Sequence, residues 1–229
     1  MGINSNYATT YDSMEMMYPS ENLVRIFKGT YPEIQLADKL SAGESILDIG
    51  CGDGRHLVFF DKDREFDAYG IEPTGELAEI ARKNARDAGA EVTVREGTSR
   101  NIPFSDDQFD HLISWNSCYY MGETHEFDFQ SHVREYHRVM KPGGTIVLSI
   151  PKPTSFIFQD ADEVRKGYIE VKNDPFGVRN GSVLRKFHSD EDIVDAFSPQ
   201  FSAFTVASIH DDFFGFNYHW WILIGEKGE

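Results

Sequence analysis

Ser45–His56, SILDIGCGDGRH, is the stretch that decides the fold. Ile46, Leu47 and Ile49 form a short apolar run of the kind buried in a central strand. Gly50, Gly52 and Gly54 follow at alternate positions, and a helix is expected from about Arg55. A glycine-rich turn between strand and helix lets a ligand approach the backbone closely. It also aims the unpaired N–H groups of the helix start at that ligand.

The order of the downstream segments gives this turn its meaning. Asp67–Pro73 (DAYGIEP) reads as a second strand ending in Glu72, an acid placed to accept hydrogen bonds from both hydroxyls of a ribose. Glu91–Glu96 alternates as a third strand and leads into Gly97–Phe104 (GTSRNIPF). Phe109–Trp115 reads as a fourth strand, and Met140–Gly144 (MKPGG) as a turn into a fifth, Thr145–Ile150. Taken together, the D-x-G-x-G-x-G run, the strand-end acid, the IPF-x-D-x-x-FD segment and the KPGG turn resemble the class I S-adenosylmethionine (SAM)-dependent methyltransferases of small molecules. The resemblance covers roughly residues 41–151.

The resemblance implies an α/β fold: a doubly wound, seven-stranded, mostly parallel Rossmann-like sheet. A C-terminal antiparallel hairpin closes it, and a lid is inserted before the sixth strand. It also implies SAM as cofactor and S-adenosylhomocysteine (SAH) as product. Asp48 would serve the ligand's ammonium, and Gly50, Cys51 and Gly52 would lie along its methionine and ribose. Glu72 would take the ribose hydroxyls, and Trp115 would floor the methionine moiety. Thr98 and Ser99 stand where the family has an acid and a small residue near the adenine; the acid is missing here. Tyr7, Tyr11 and Tyr18 are candidates to close over the cofactor, where aromatic faces suit a sulfonium. The other reading of these tyrosines is packing on a neighbouring helix or a dimer partner.

Composition sets limits on partners. The chain has 229 residues with 40% apolar content, enough for one well-buried domain. Its formal net charge of −16 removes the electrostatic footprint by which proteins hold phosphate backbones, so nucleic acid is not expected as a partner. Two cysteines, Cys51 and Cys118, suggest no disulfide framework, and a cytoplasmic location is expected. No apolar run approaches the length of a membrane span, and no leader is expected. The expected partner is a small-molecule substrate, with a homodimer left open. No metal is expected: Asp106, Asp107 and Asp110 precede the fourth strand, away from its functional end.

Four stretches organise the chain: a helical N-terminal lid (1–40), the cofactor-binding core (41–151), a substrate-lid insertion (152–188), and a C-terminal helix and hairpin (189–229). In the first, Asn22–Leu40 reads as a helix beside the sheet. In the last, strands Phe204–His210 and Tyr218–Gly225 flank a turn at Asp211–Gly215. The insertion carries Arg179, Arg185 and Lys186 without an acid between Pro175 and His188. Clustered arginines suit a phosphate or carboxylate, so Arg179 and Arg185, with Tyr119, are expected to face the acceptor. For a hydroxyl acceptor a histidine is the usual base near neutral pH. His125, shortly after the fourth strand, is the expected one, while His132 and His137 read as surface or packing residues on a helix.

The expected activity is methyl transfer to a small polar acceptor at oxygen, a phosphorylated or nucleotide-linked sugar being one form. A non-catalytic SAM- or SAH-binding protein is the second reading. A nicotinamide-dependent oxidoreductase is a third, opposed by the G-x-G-x-G spacing, since dinucleotide turns use G-x-G-x-x-G.

Overall fold

A computed structural model of the chain describes residues 3–31, 33–34, 36, 40–122 and 127–228. Its centre is a seven-stranded sheet: β1 (Ser45–Ile49), β2 (Asp67–Glu72), β3 (Val92–Glu96), β4 (Phe109–Ser114), β5 (Met140–Pro151), β9 (Phe201–Phe213) and β10 (Phe216–Lys227). The spatial order is β3-β2-β1-β4-β5-β10-β9. The first five strands pair in parallel, and β10 runs antiparallel to both β5 and β9. Helices α3 (Arg55–Arg64), α4 (Gly75–Asp87) and α5 (Gln130–Val139) supply the crossovers. This is the doubly wound, mostly parallel Rossmann-like architecture with its terminal antiparallel pair.

The parallel strands are apolar on both faces because both faces are covered. Leu47 and Ile49 of β1 belong to the core beneath α5, with Val133 and Tyr136. Ile46 faces the other core, with Leu57 and Phe60 of α3 and Leu23 and Phe27 of α2 (Glu21–Lys28). Side chains alternate in direction along a strand, so one pentapeptide serves both layers. The Thr74 hydroxyl caps α4 by accepting from Leu77 N–H at 3.3 Å. Ser189 caps α6 (Asp190–Phe197) by accepting from Asp192 N–H at 3.2 Å.

Two segments differ from the sequence expectation. The helix expected over Asn22–Leu40 ends at Lys28, where Gly29 turns to an extended conformation and donates its N–H back to Arg25 O. The hairpin turn expected at Asp211–Gly215 shrinks to Phe214-Gly215, because Asp211 and Asp212 stay in register with Tyr218 and Asn217. Exposed aspartates on β9 mimic turn residues, yet charges are a common way to blunt an edge strand.

The 152–188 stretch folds into a single turn of 3-10 helix (Phe156–Phe158) and a second, three-stranded antiparallel sheet: β6 (Ala161–Arg165), β7 (Tyr168–Val171) and β8 (Val183–Arg185). Its β8 docks on the chain that follows β4. Arg185 N–H donates to Tyr119 O at 2.8 Å, and Met121 N–H donates to Val183 O at 2.9 Å. The remaining helix, α1 (Ile3–Asp12), also contacts α4.

Candidate active site

A cavity of about 690 Å³ opens at the C-terminal ends of β1, β2 and β4, between α1 and the inserted sheet. The strand order reverses between β1 and β4, and such a reversal is where open α/β sheets leave a crevice.

At one end lies the glycine loop. Gly50 adopts φ +71°, and a Cβ there would stand 2.7 Å from the Ser117 Cβ. Gly52 adopts φ +58°, and its Cβ would meet the Tyr11 hydroxyl at 3.0 Å. Both positions therefore exclude a side chain on conformational and steric grounds. The loop is tied to β2 by Gly50 and Cys51 N–H groups donating to Ile71 O at 3.0 and 3.2 Å. Gly52 N–H donates to the Glu72 carboxylate, which is only 5% exposed. Burial, with Asp48 and Asp53 nearby, pushes the Glu72 carboxyl up to about 8 despite that N–H.

Thr98 and Ser99 line the same end. Ser99 Oγ accepts from the Tyr136 hydroxyl at 3.2 Å, while Thr98 closes a tight turn with Asn101. Trp115 lines the cavity beside His56, the rings meeting edge to face at 6.4 Å. Asn116, held at φ +60°, donates its N–H to Ser149 Oγ at 2.7 Å and receives that hydroxyl at Oδ1 at 2.9 Å. Helix α1 covers both ends of the cavity. Tyr11 stands over Gly52, and the Tyr7 and Tyr120 hydroxyls meet at 2.7 Å. The chain after α1 is stitched to the glycine loop, Met17 N–H donating to Asp53 Oδ2 at 3.0 Å.

The far end is aromatic. Tyr119 and Tyr120 stack at 5.0 Å, and Tyr218 stacks on Trp220 at 5.6 Å. Arg179 enters between Phe156 and Phe176, its guanidinium 5.2 and 5.7 Å from their ring centres. Its Nε and Nη2 both reach the buried Asp174 Oδ1 at 3.2 Å.

Of the residues expected from sequence, Gly50, Cys51, Gly52, Glu72, Thr98, Ser99, Trp115, Tyr11, Tyr119 and Arg179 line this one cavity. Three expected residues do not. Asp48 is buried away from the cavity wall, its carboxylate 3.5 Å from His56 Nδ1. Tyr18 is 94% exposed, since Met17 and Ser20 anchor the backbone on either side of it. Arg185 turns to the other side of β8, bonded to the carbonyls of Gly167 and Lys186 at 2.9 and 2.6 Å and paired with Asp192 at 3.2 Å. With Lys186 over the Phe158 ring, the three cations form no common anion patch. His125 lies outside the described residues.

His132 corrects the sequence reading in the opposite sense. It lines the cavity, buried, with Nδ1–H donating to Cys118 O at 3.2 Å and Nε2 accepting from Arg100 Nε at 3.3 Å. Burial lowers its pKa to about 4. Its position in the Phe129/Val133/Tyr136 face of α5 is the sequence signal for that burial. Tyr7, also expected from sequence, lines the cavity too; so do Tyr120, Tyr218 and Trp220, which no motif marks. Among the described residues no group of three or more His, Cys, Asp or Glu side chains could hold a metal.

Known proteins resemble this chain in sequence and in fold. Residues 46–144 match the family model described as a methyltransferase domain. An uncharacterized methyltransferase of Bacillus subtilis, YcgJ, is 34% identical over 108 residues, 47% of this chain and 40% of that protein. The mouse protein named probable tRNA methyltransferase 9B is 32% identical over 112 residues, 47% of this chain and 22% of its own length. A Thermotoga maritima structure, titled a SAM-dependent methyltransferase and possible histamine N-methyltransferase, superposes with a TM-score of 0.60. It is 20% identical and covers 98% of this chain and 99% of its own. Residues 46–144 thus match a methyltransferase domain, and the chain shares the fold of that SAM-dependent structure. The chain spans about 40% of the B. subtilis relative's length.

The glycine loop, where a Cβ would intrude, and the buried strand-end Glu72 fit that cofactor. Gly50–Gly52 would carry its methionine and ribose, Glu72 the ribose hydroxyls, Thr98 and Ser99 the adenine edge, and Tyr11 and Trp115 would enclose it.

Proposed function

We propose that this chain transfers a methyl group from SAM to a small polar acceptor, at oxygen. One continuous cavity carries the reading: the glycine loop and Glu72 form one end, and an aromatic chamber forms the other. The cofactor supplies an electrophilic methyl when bound; the protein supplies position. Tyr7 and Tyr11 close the cavity from α1, and the inserted sheet closes it from above Tyr119–Met121, which keeps water from the reacting atoms.

A sugar-like ring suits the chamber, because sugar faces stack on aromatic rings. A phosphorylated or nucleotide-linked acceptor is less well served, since Arg179 is already paired with Asp174 and Arg185 points elsewhere. The net charge of −16 weighs against RNA as acceptor, the likeness to a tRNA methyltransferase notwithstanding. Among the described residues no helix is long and apolar enough to cross a membrane.

One observation favours a second reading, a SAM- or SAH-binding protein without turnover. His132 and three tyrosines of the cavity are poor bases for a hydroxyl. His132 Nε2 already accepts from Arg100, and burial holds Tyr7, Tyr119 and Tyr120 in their protonated forms. His125 remains the proposed base. Assay of His125→Ala tests that role, and transfer by the parent protein removes the second reading. A fall in transfer of at least 100-fold with unchanged SAH affinity supports catalysis through it; transfer at the parent rate removes it from that role.

A further inference from the structure

Two polar groups in the wall of the aromatic chamber are buried without a hydrogen-bond partner: the Trp220 indole N–H and the Ser182 hydroxyl. Trp220 is 7% exposed and Ser182 is 4% exposed. They come from separate segments, Trp220 from β10 of the large sheet and Ser182 from the residue just before β8 in the inserted one. The Tyr119 hydroxyl stands near the indole without the geometry of a hydrogen bond. Buried polar groups are nearly always paired, so two orphans on residues that line one chamber point to it as the place of a ligand's polar atoms.

The charge of the chamber narrows the class of ligand. Its cation, Arg179, gives two nitrogens to Asp174, whose side chain is fully buried. An anionic ligand would meet a cation whose charge Asp174 already offsets, and would bring a second negative charge beside that buried carboxylate. A cationic ligand would face the guanidinium itself. An uncharged ligand meets neither penalty. The stacked pairs Tyr119–Tyr120 and Tyr218–Trp220 offer flat faces to a ring. Trp220 and Tyr218 also wall an adjoining cavity of about 290 Å³, which gives room for a substituent on that ring.

We propose that Trp220 and Ser182 read the methyl acceptor, which is an uncharged, oxygen-bearing ring. One of its oxygens accepts from the Trp220 N–H, and a second polar group pairs with Ser182 Oγ. This rests on the methyl-transfer reading, because it takes the chamber as the acceptor's place.

Three matched probes test it on the SAH-saturated protein: 4-nitrophenyl β-D-glucoside, 4-nitrophenyl phosphate and (4-nitrobenzyl)trimethylammonium. Each is titrated while the indole N–H signals are followed by NMR. The glucoside is expected to bind at least tenfold more tightly than either charged probe and to move the Trp220 signal. Trp220→Phe should weaken it three- to tenfold, and Ser182→Ala by about threefold, with SAH affinity kept within twofold in both. A charged probe binding best, an unmoved Trp220 signal, unchanged affinity in both variants, or no binding by any probe overturns the proposal. SAH affinity is measured first in the same samples. Its absence in the parent protein would remove the functional reading as well, whereas intact SAH binding with indifferent probes removes only this inference. Should Trp220→Phe fail to fold, Ser182→Ala carries the test alone.

Discussion

Replacing Glu72 by Gln leaves its shape in place and removes its charge. In the unliganded protein the carboxyl titrates near 8, because burial outweighs the single N–H it receives from Gly52. Ionising it at pH 7 therefore costs about 1.4 kcal/mol, one pKa unit. Two ribose hydroxyls donating to the carboxylate return about 1.5–3 kcal/mol each, as hydrogen bonds to a charged group do. The difference, about 1.6–4.6 kcal/mol, sets a Kd for SAH roughly 15- to 2,500-fold weaker in Glu72→Gln. The sign of the pH dependence follows. A carboxyl raised in the free protein and lowered by the ligand's donors releases a proton on binding, so affinity rises with pH. Calorimetric titration should show close to a tenfold gain in SAH affinity from pH 6 to 7, levelling above 8, and a flat profile for Glu72→Gln. A flat parent profile together with unaltered affinity in the variant would refute the placement of Glu72 on the ribose.

Gly50→Ala should both destabilise the fold by about 1–3 kcal/mol and abolish measurable SAH binding, since φ is +71° and the added Cβ would stand 2.7 Å from Ser117 Cβ; thermal melts with and without SAH read both effects. His132, lowered to about 4 by burial, stabilises the fold fully above its unfolded pKa, and this is lost as pH falls from about 6.5 through 4. Urea unfolding should lose roughly 3 kcal/mol over that window, and a His132→Gln variant should lose less. Glu72 acts in the other direction: its raised carboxyl makes the unliganded fold less stable as pH rises from about 4.5 to 8, an effect that Glu72→Gln removes. Arg185→Ala should lower the melting temperature without changing SAH affinity, because Arg185 holds Gly167, Lys186 and Asp192 rather than the cavity.

The cofactor end was legible in the sequence because its chemistry is local. Gly50, Cys51 and Gly52 lie within one turn, and Glu72 ends the adjacent parallel strand, so a reading along the chain places them side by side. The acceptor end is assembled from the chain after β4, the segment before β8, β10 and α1, and no spacing along the chain encodes that meeting. Arg179 and Arg185 look like one patch in sequence. In the fold Arg185 is drawn to Gly167, Lys186 and Asp192, outside the cavity lining, and Asp174 takes the fork of Arg179. Tyr18 shares the composition of Tyr7 and Tyr11 but lies beyond α1, where the chain is extended and the ring projects into solvent. Asp48, next to the glycines in sequence, points into the protein toward His56, and strand alternation again decides it.

Methyl transfer itself is the central claim. The purified chain is incubated with SAM labelled in its methyl group and an extract of the source organism, then separated by size before counting. The account predicts label in the small-molecule fraction, reduced by Glu72→Gln when SAM is limiting. Label in RNA or protein, or none anywhere while SAH binds, would contradict it.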